Sequence, residues 1–116
     1  MKTSQRLTFS TLLLGIITVL SSTAFADCSS NRCVGEIERL YTNSAGTLYI
    51  GSDGDETMLD CTSPNDVYMT LEASDPNFNR KYAMLLTAYS LNQEIGIRIV
   101  VGSPNCAVSY FYIDKP

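Results

Sequence analysis

Histidine and tryptophan are both absent from the 116 residues. Without histidine the chain has no imidazole to act as a general base, no Ser-His-Asp or Cys-His arrangement, and little means of building a catalytic zinc site. Chemistry by paired carboxylates is the catalytic route left open. Positive charge is also scarce. Eight Lys and Arg stand against twelve Asp and Glu, a formal charge of −4. Such a chain has no basic face with which to neutralise phosphates, which argues against nucleic acid as a partner, and anionic lipid surfaces are disfavoured for the same reason. There is no C-x-x-C pair, and nothing beside the cysteines would lower a thiol pKa, so redox chemistry is a poor fit. Linkers, repeats and low-complexity tracts are missing as well.

What is present starts with a leader. Lys2 and Arg6 precede an apolar stretch from Leu12 to Leu20, which ends in Ser-Ser-Thr and then Ala24-Phe25-Ala26. That three-part pattern reads as a secretory signal peptide over residues 1–26, cut after Ala26. The apolar run is short of the roughly 20 residues that span a bilayer, and no stop-transfer cluster follows it. Cys28 stands one residue too late for lipid attachment after Ala26. The expected product is a secreted or periplasmic domain of residues 27–116, with no membrane attachment. All twelve acidic residues and six of the basic ones lie in it, so its formal charge is −6.

A domain of this size has a limited core and often needs covalent help. Its four cysteines, Cys28, Cys33, Cys61 and Cys106, read as two disulfides in an exported chain. Four cysteines allow three pairings, and the sequence does not choose among them. The preferred one joins Cys61 to Cys106, closing a long loop, and Cys28 to Cys33, closing a small ring. A zinc site is the weaker alternative, because the spacing lacks two close pairs.

The apolar pattern changes period once. Val34 to Tyr41 alternates, with a phase slip near Arg39 that allows a bulge. Asn43 to Gly46 is a turn, and Thr47 to Ile50 completes a hairpin. Gly51 to Glu56 and Thr62 to Asn65 are further turns. Asp66 to Glu72 alternates, with Val67, Met69 and Leu71 on one face and Tyr68 and Thr70 on the other. The spacing then predicts a helix, capped by Asp75 with Pro76 at its first position. Phe78, Tyr82, Leu85, Leu86 and Tyr89 form its stripe, widened by Ala83, Met84 and Ala88, and Asn92 can adopt a left-handed cap. Ile95, Ile97 and Ile99 begin a strand extended by Val100 and Val101. Cys106 to Ile113 is the last strand. The order is β-β-β-α-β-β. Mainly β with one helix, it matches a five-stranded OB-fold-like Greek-key barrel plugged by its helix. An open α+β sheet with one covering helix is the rival.

From Tyr82 to Val100 the residues YAMLLTAYSLNQEIGIRIV resemble the central helix and fourth strand of toxin B subunits of the subtilase-cytotoxin and pertussis-like type. The likeness covers about a fifth of the chain directly and the rest by element order. It implies an exported OB-fold and leaves glycan binding and homo-oligomeric rings open. The cysteines are placed differently from those of the toxin subunits, tryptophan is missing, and the insertion before the last strand is absent. No sugar-binding residue carries over. The pattern Tyr49-Ile50-Gly51, then Asp53-Gly54-Asp55-Glu56, then Gly102-Ser103 before Cys106 is also similar to that of small exported bacterial proteins.

Two clusters could carry function. Asp53, Asp55 and Glu56 sit in a glycine-containing turn, where such residues are chosen for backbone reasons. Calcium binding or carboxylate hydrolysis would be their functional roles, though the spacing is not that of a helix-loop-helix calcium loop. Seven tyrosines supply the second cluster, since a phenol can stack on a sugar ring while its hydroxyl bonds. Tyr68, Tyr49 and Asp53 are the candidate ligand-binding residues. No catalytic residue, metal ligand or cofactor is assigned. The expected function is a non-catalytic exported binding module for a glycan or protein. The alternative is a periplasmic accessory protein docking on an envelope partner through Phe111 and Ile113.

Overall fold

The computed structural model describes residues 14–18 and 26–115. Most of the expected leader therefore lies outside the described residues. Seven strands and one helix follow in the order β1 (Asp27–Cys28), β2 (Arg32–Gly35), β3 (Ile37–Thr42), β4 (Leu48–Ser52), β5 (Met69–Leu71), α1 (Phe78–Ser90), β6 (Ile95–Ile99) and β7 (Val108–Tyr112). They form two antiparallel sheets, ordered β1-β2-β6-β7 and β3-β4-β5. The fold is mainly β with one helix, as expected. Among the described residues there are seven strands rather than five, and the two sheets do not form a closed barrel.

One of the two extra strands arises because the segment from Val34 to Tyr41 is not one strand. It breaks at Glu36, between β2 and β3, and the chain passes there from one sheet to the other. Asp53 laces this crossing. Its Oδ1 accepts the Glu36 N–H at 2.9 Å, and its own N–H donates to the Glu36 carbonyl at 3.0 Å. Gly35 has no room for a side chain, since a Cβ would lie 2.1 Å from Asp53 Oδ1. The other extra strand is β1, which pairs with β2 through Cys28 opposite Cys33.

The expected bulge is present. The β3–β4 register shifts between Ile37 and Arg39, so Glu38 has no partner on β4. A second shift, between Arg98 and Ile99, leaves Ser109 unpaired on β7. It breaks the alternation expected from Cys106 to Ile113 and turns both Val108 and Phe111 inward. Phe111 is buried, and Ile113 packs partly against the core. Neither offers the docking surface expected of them. Val100 and Val101 do not extend β6; they are exposed in a turn.

The strand expected from Asp66 begins only at Met69. Asn65 and Asp66 take positive φ of 52° and 60°, within a short 3-10 turn, and this breaks the alternation. Val67 is exposed while Tyr68 is buried, the reverse of the expected facing. Thr70 reaches the other sheet. It bridges in parallel to Ala107, and its N–H and Oγ1 donate to the carbonyls of Cys106 and Asn105, each at 3.0 Å.

The helix starts later than the cap residues suggest. Asp75 bonds the N–H of Asn77 at 2.8 Å and pairs with Lys81, which makes a turn ahead of Phe78. Its end follows the expectation. Asn92 has φ 48°, the Asn92 N–H reaches the Tyr89 carbonyl, and the Gln93 N–H reaches the Ala88 carbonyl at 2.9 Å. The helix contacts β7 of one sheet and β3 of the other. Only a narrow face is covered: Leu85 and Ala88 are buried and Phe78 is partly so, while Tyr82, Leu86 and Tyr89 are exposed.

The core gathers Cys33, Ile50, Met69, Leu71, Leu85, Ile95, Ile97 and Cys106, each at most 1% exposed. Both preferred disulfides are present, with Cα separations of 4.0 Å for Cys28–Cys33 and 5.0 Å for Cys61–Cys106. The second spans 45 positions and stabilises by about 4 kcal/mol in the chain-entropy model. Among the described residues no helix is long and apolar enough to cross a membrane. The two bridges are compatible with an extracellular or periplasmic location.

Two stability predictions arise. Replacing Cys61 and Cys106 together by serine should cost about 2–5 kcal/mol in urea unfolding, against a smaller loss for the Cys28–Cys33 pair. Gly96 sits beneath the Tyr112 ring, where a Cβ would meet ring carbons at 2.0–2.4 Å. Gly96→Ala should therefore cost about 1–3 kcal/mol. In a Tyr112→Ala background the same substitution should be nearly neutral, which a double-mutant cycle would read.

Candidate functional site

The outer face of the three-stranded sheet carries the best-formed cleft. After the bulge at Glu38, Arg39 and Tyr41 lie two apart on β3. They stand in register with Gly51 and Tyr49 on β4. All four belong to one face, because alternate residues share a side. The Tyr41 and Tyr49 rings stack at 4.7 Å, within 5° of parallel. Tyr68 arrives from the loop before β5 and sets its ring edgewise to both, at 5.2 and 6.0 Å. Arg39 Nη1 donates to the Tyr68 hydroxyl at 3.3 Å. Beside this cluster opens a cleft of about 440 Å³, bounded by Glu38, Arg39, Gly51, Glu56, Val67 and Tyr68, among others.

The electrostatics fix the states of these groups. The hydrogen bond to Tyr68 and that phenol's proximity hold the Arg39 guanidinium above its ordinary value, so it stays charged. Partial desolvation, with Tyr68 and Tyr49 beside it, pushes the Tyr41 phenol up, so it stays neutral. Arg39 thus borders the cleft as a fixed cation, and Tyr41 stands beside it as a neutral phenol.

Glu56 is the unusual acid. It is 4% exposed. Its Oε1 accepts the Ser52 N–H at 2.7 Å and the Ser52 hydroxyl at 2.9 Å. Burial pushes its carboxyl above the ordinary 4.5, with Glu38 adding in the same direction and the hydrogen bonds opposing it. Its first task is to hold the loop after β4, where Ser52 Oγ in turn accepts the Gly54 N–H at 3.2 Å.

The candidate residues from the sequence divide here. Tyr68 and Tyr49 come together in the cluster. Asp53 does not join them; its carboxylate serves the Glu36 crossing. The expected Asp53-Asp55-Glu56 group disperses. Asp55 caps the short 3-10 helix Glu56–Met58 by accepting the Thr57 N–H at 3.1 Å, and Glu56 turns inward. Among the described residues no group of three or more acidic or cysteine side chains could hold a metal ion. Arg39, Tyr41 and Glu38 were not singled out from the sequence, and Glu56 was named only as a member of the acidic turn. The i, i+2 spacing of Arg39 and Tyr41 just past the phase slip was the signal for the first two. Nothing marked Glu56 apart from its neighbours in the turn.

Glu56 sets a pH dependence. A carboxyl raised in the folded state contributes stability below its unfolded pKa and loses it as pH rises through the folded one. Glu56→Gln keeps an acceptor for Ser52 and removes the buried charge. The stability of this variant relative to wild type should rise as pH climbs above the ordinary carboxylate range and level off once Glu56 is ionised in the folded state as well. Urea unfolding across that range would read it, and a flat difference would remove the buried-charge account.

No family model, curated protein or solved structure matches the chain.

Proposed function

We propose that the chain is a non-catalytic exported binding module that takes a glycan in the cleft beside Tyr68, on an OB-like framework similar to that of toxin B subunits. The observation that carries this reading is the pairing of an aromatic cluster with a fixed guanidinium at the edge of an open cleft. Tyr41 is 39% exposed and presents a ring on which a sugar can stack. Arg39 and Glu38 supply a donor and an acceptor for hydroxyl groups. Gly51, without a side chain, leaves the cleft floor open.

Three observations support the OB-like part. One run of chain feeds both sheets across Glu36. Thr70 and Ala107 link the sheets in parallel on the far side. The single helix touches both sheets. A docking role on an envelope protein is the second reading. It draws on the exposed helix flank of Tyr82, Leu86 and Tyr89 in place of Phe111.

A glycan array with native mass spectrometry tests the proposal. Wild-type protein should give glycan signals that fall about tenfold or more in Tyr41→Ala and Arg39→Ala, with unchanged circular dichroism. Silence on every glycan would overturn it. Leu86→Asp should leave those signals intact, whereas the docking reading requires that this variant lose an envelope partner in cross-linking.

A further inference from the structure

The outer face of the other sheet holds an arrangement that neither the core nor the cleft explains. Arg32 on β2 stands directly opposite Arg98 on β6, and Arg98 stands opposite Tyr110 on β7. Like charges set directly opposite on neighbouring strands destabilise a sheet. Here two of the six basic residues beyond Ala26 are so placed, in a stretch with twelve acidic residues that could have paired with them. Among the described residues the ion pair formed is Lys81 with Asp75, and neither Arg32 nor Arg98 joins a carboxylate. Asp27, the acidic residue on the neighbouring edge strand, pairs in register with Val34 and not with Arg32.

The surroundings anchor the Arg32 guanidinium without neutralising it. The Tyr112 ring lies over Gly96 and crosses β6 towards β2. Its hydroxyl accepts from Arg32 Nη1 at 3.4 Å. Arg98 is half-buried between Arg32 and Tyr110. Tyr110 is 48% exposed and lies 6.4 Å from Tyr112, its ring tilted 47° to it, so exposed aromatic surface adjoins the two charges.

We propose that this face binds a small soluble phosphate monoester carried on a sugar ring. Charge complementarity selects the anion. A phosphomonoester carries about −1.5 to −2 near neutral pH, which matches two guanidiniums, whereas a single carboxylate would leave one of them unpaired. Arginine donors suit phosphate oxygens, and two on adjacent strands can engage one phosphate together. Tyr110 supplies the platform for the ring. The remaining surface selects the source. A formal charge of −6 beyond Ala26 repels an extended anionic membrane but not one small ligand held at a local pair.

Thermal melting and titration calorimetry with glucose 6-phosphate, glucose, inorganic phosphate and phosphatidylglycerol vesicles test this. Glucose 6-phosphate should raise the melting temperature above that in chloride of equal ionic strength, glucose should not, and inorganic phosphate should bind more weakly. Arg32→Gln and Arg98→Gln should each weaken glucose 6-phosphate binding about tenfold or more, and Arg80→Gln on the helix should leave it unchanged. Without ligand, Arg98→Gln should melt at or above the wild-type temperature, because it relieves the opposed charges. A merely structural role for Arg98 would lower that temperature and overturn the proposal. So would a ligand-induced shift that persists in the double variant, or the absence of any shift. Arginine-dependent binding to the vesicles but not to glucose 6-phosphate would overturn the soluble source.

Discussion

The crossing at Glu36 is the constraint on which the rest of the structure depends. A single residue separates β2 from β3, yet the two strands belong to different sheets. The backbone can make that change only where its polar groups find partners off the ladder. Asp53 supplies them, taking the Glu36 N–H with its carboxylate and giving its own N–H to the Glu36 carbonyl. The contact is so close that Gly35 cannot carry a side chain. Asp53 follows β4 directly, so the end of the second strand of one sheet pins the point where the other sheet begins. Thr70 completes the arrangement from the far side by bonding the segment that leads into β7.

With the sheets so divided, two bulges decide what each shows to solvent. The extra residue at Glu38 turns Leu40 towards the core and leaves Arg39 and Tyr41 outside. The extra residue at Ser109 turns Val108 and Phe111 inward and leaves Tyr110 outside. Each outer face consequently carries arginine beside tyrosine, although the chain is acidic overall. The two faces are not equivalent. On the three-stranded sheet Arg39 bonds a buried phenol and borders a cleft containing Glu38 and Glu56. On the four-stranded sheet Arg32 and Arg98 face each other on neighbouring strands. The first arrangement suits neutral, hydroxyl-rich ligands, and the second suits an anion.

Much of the fold was legible in the sequence because it rests on local rules. The helix, its Asn92 end, the Asn43–Gly46 turn, the bulge near Arg39 and the Ile95–Ile99 strand all follow from periodicity and turn chemistry. The turn shows this directly, with Asn43 Oδ1 accepting the N–H groups of Ala45 and Thr47 and Gly46 at φ 81°. What was not legible depends on partners distant in sequence. The break at Glu36 needs Asp53, seventeen positions on. The reversed facing of Val67 and Tyr68 needs the positive φ of Asn65 and Asp66, which alternation conceals. The helix stripe was read too wide because periodicity reports which residues are apolar, not how much of a helix the sheets can cover. The site was half legible: Tyr68 and Tyr49 meet, but Asp53 belongs to the backbone. Arg39 and Tyr41 were missed because the slip was read as a bulge and not as the step that sets both on one outer face.

The same small domain can carry such surface charges because its stability does not depend on the surface. Opposed like charges cost up to about 1 kcal/mol in a sheet, and a buried carboxyl such as Glu56 adds a penalty of its own. The constraint of the Cys61–Cys106 loop, about 4 kcal/mol, exceeds the cost of the opposed arginines. In that bridge Cys106 is fully buried and its carbonyl bonds the Thr70 N–H, while Cys61 packs partly buried against the core. Covalent bracing therefore acts where the two sheets meet, and the outer faces are released from contributing to the fold. In a chain with so little core, a like-charged pair kept without a carboxylate partner is a cost that folding alone would not select. It is the cost that the proposed phosphate ligand would offset.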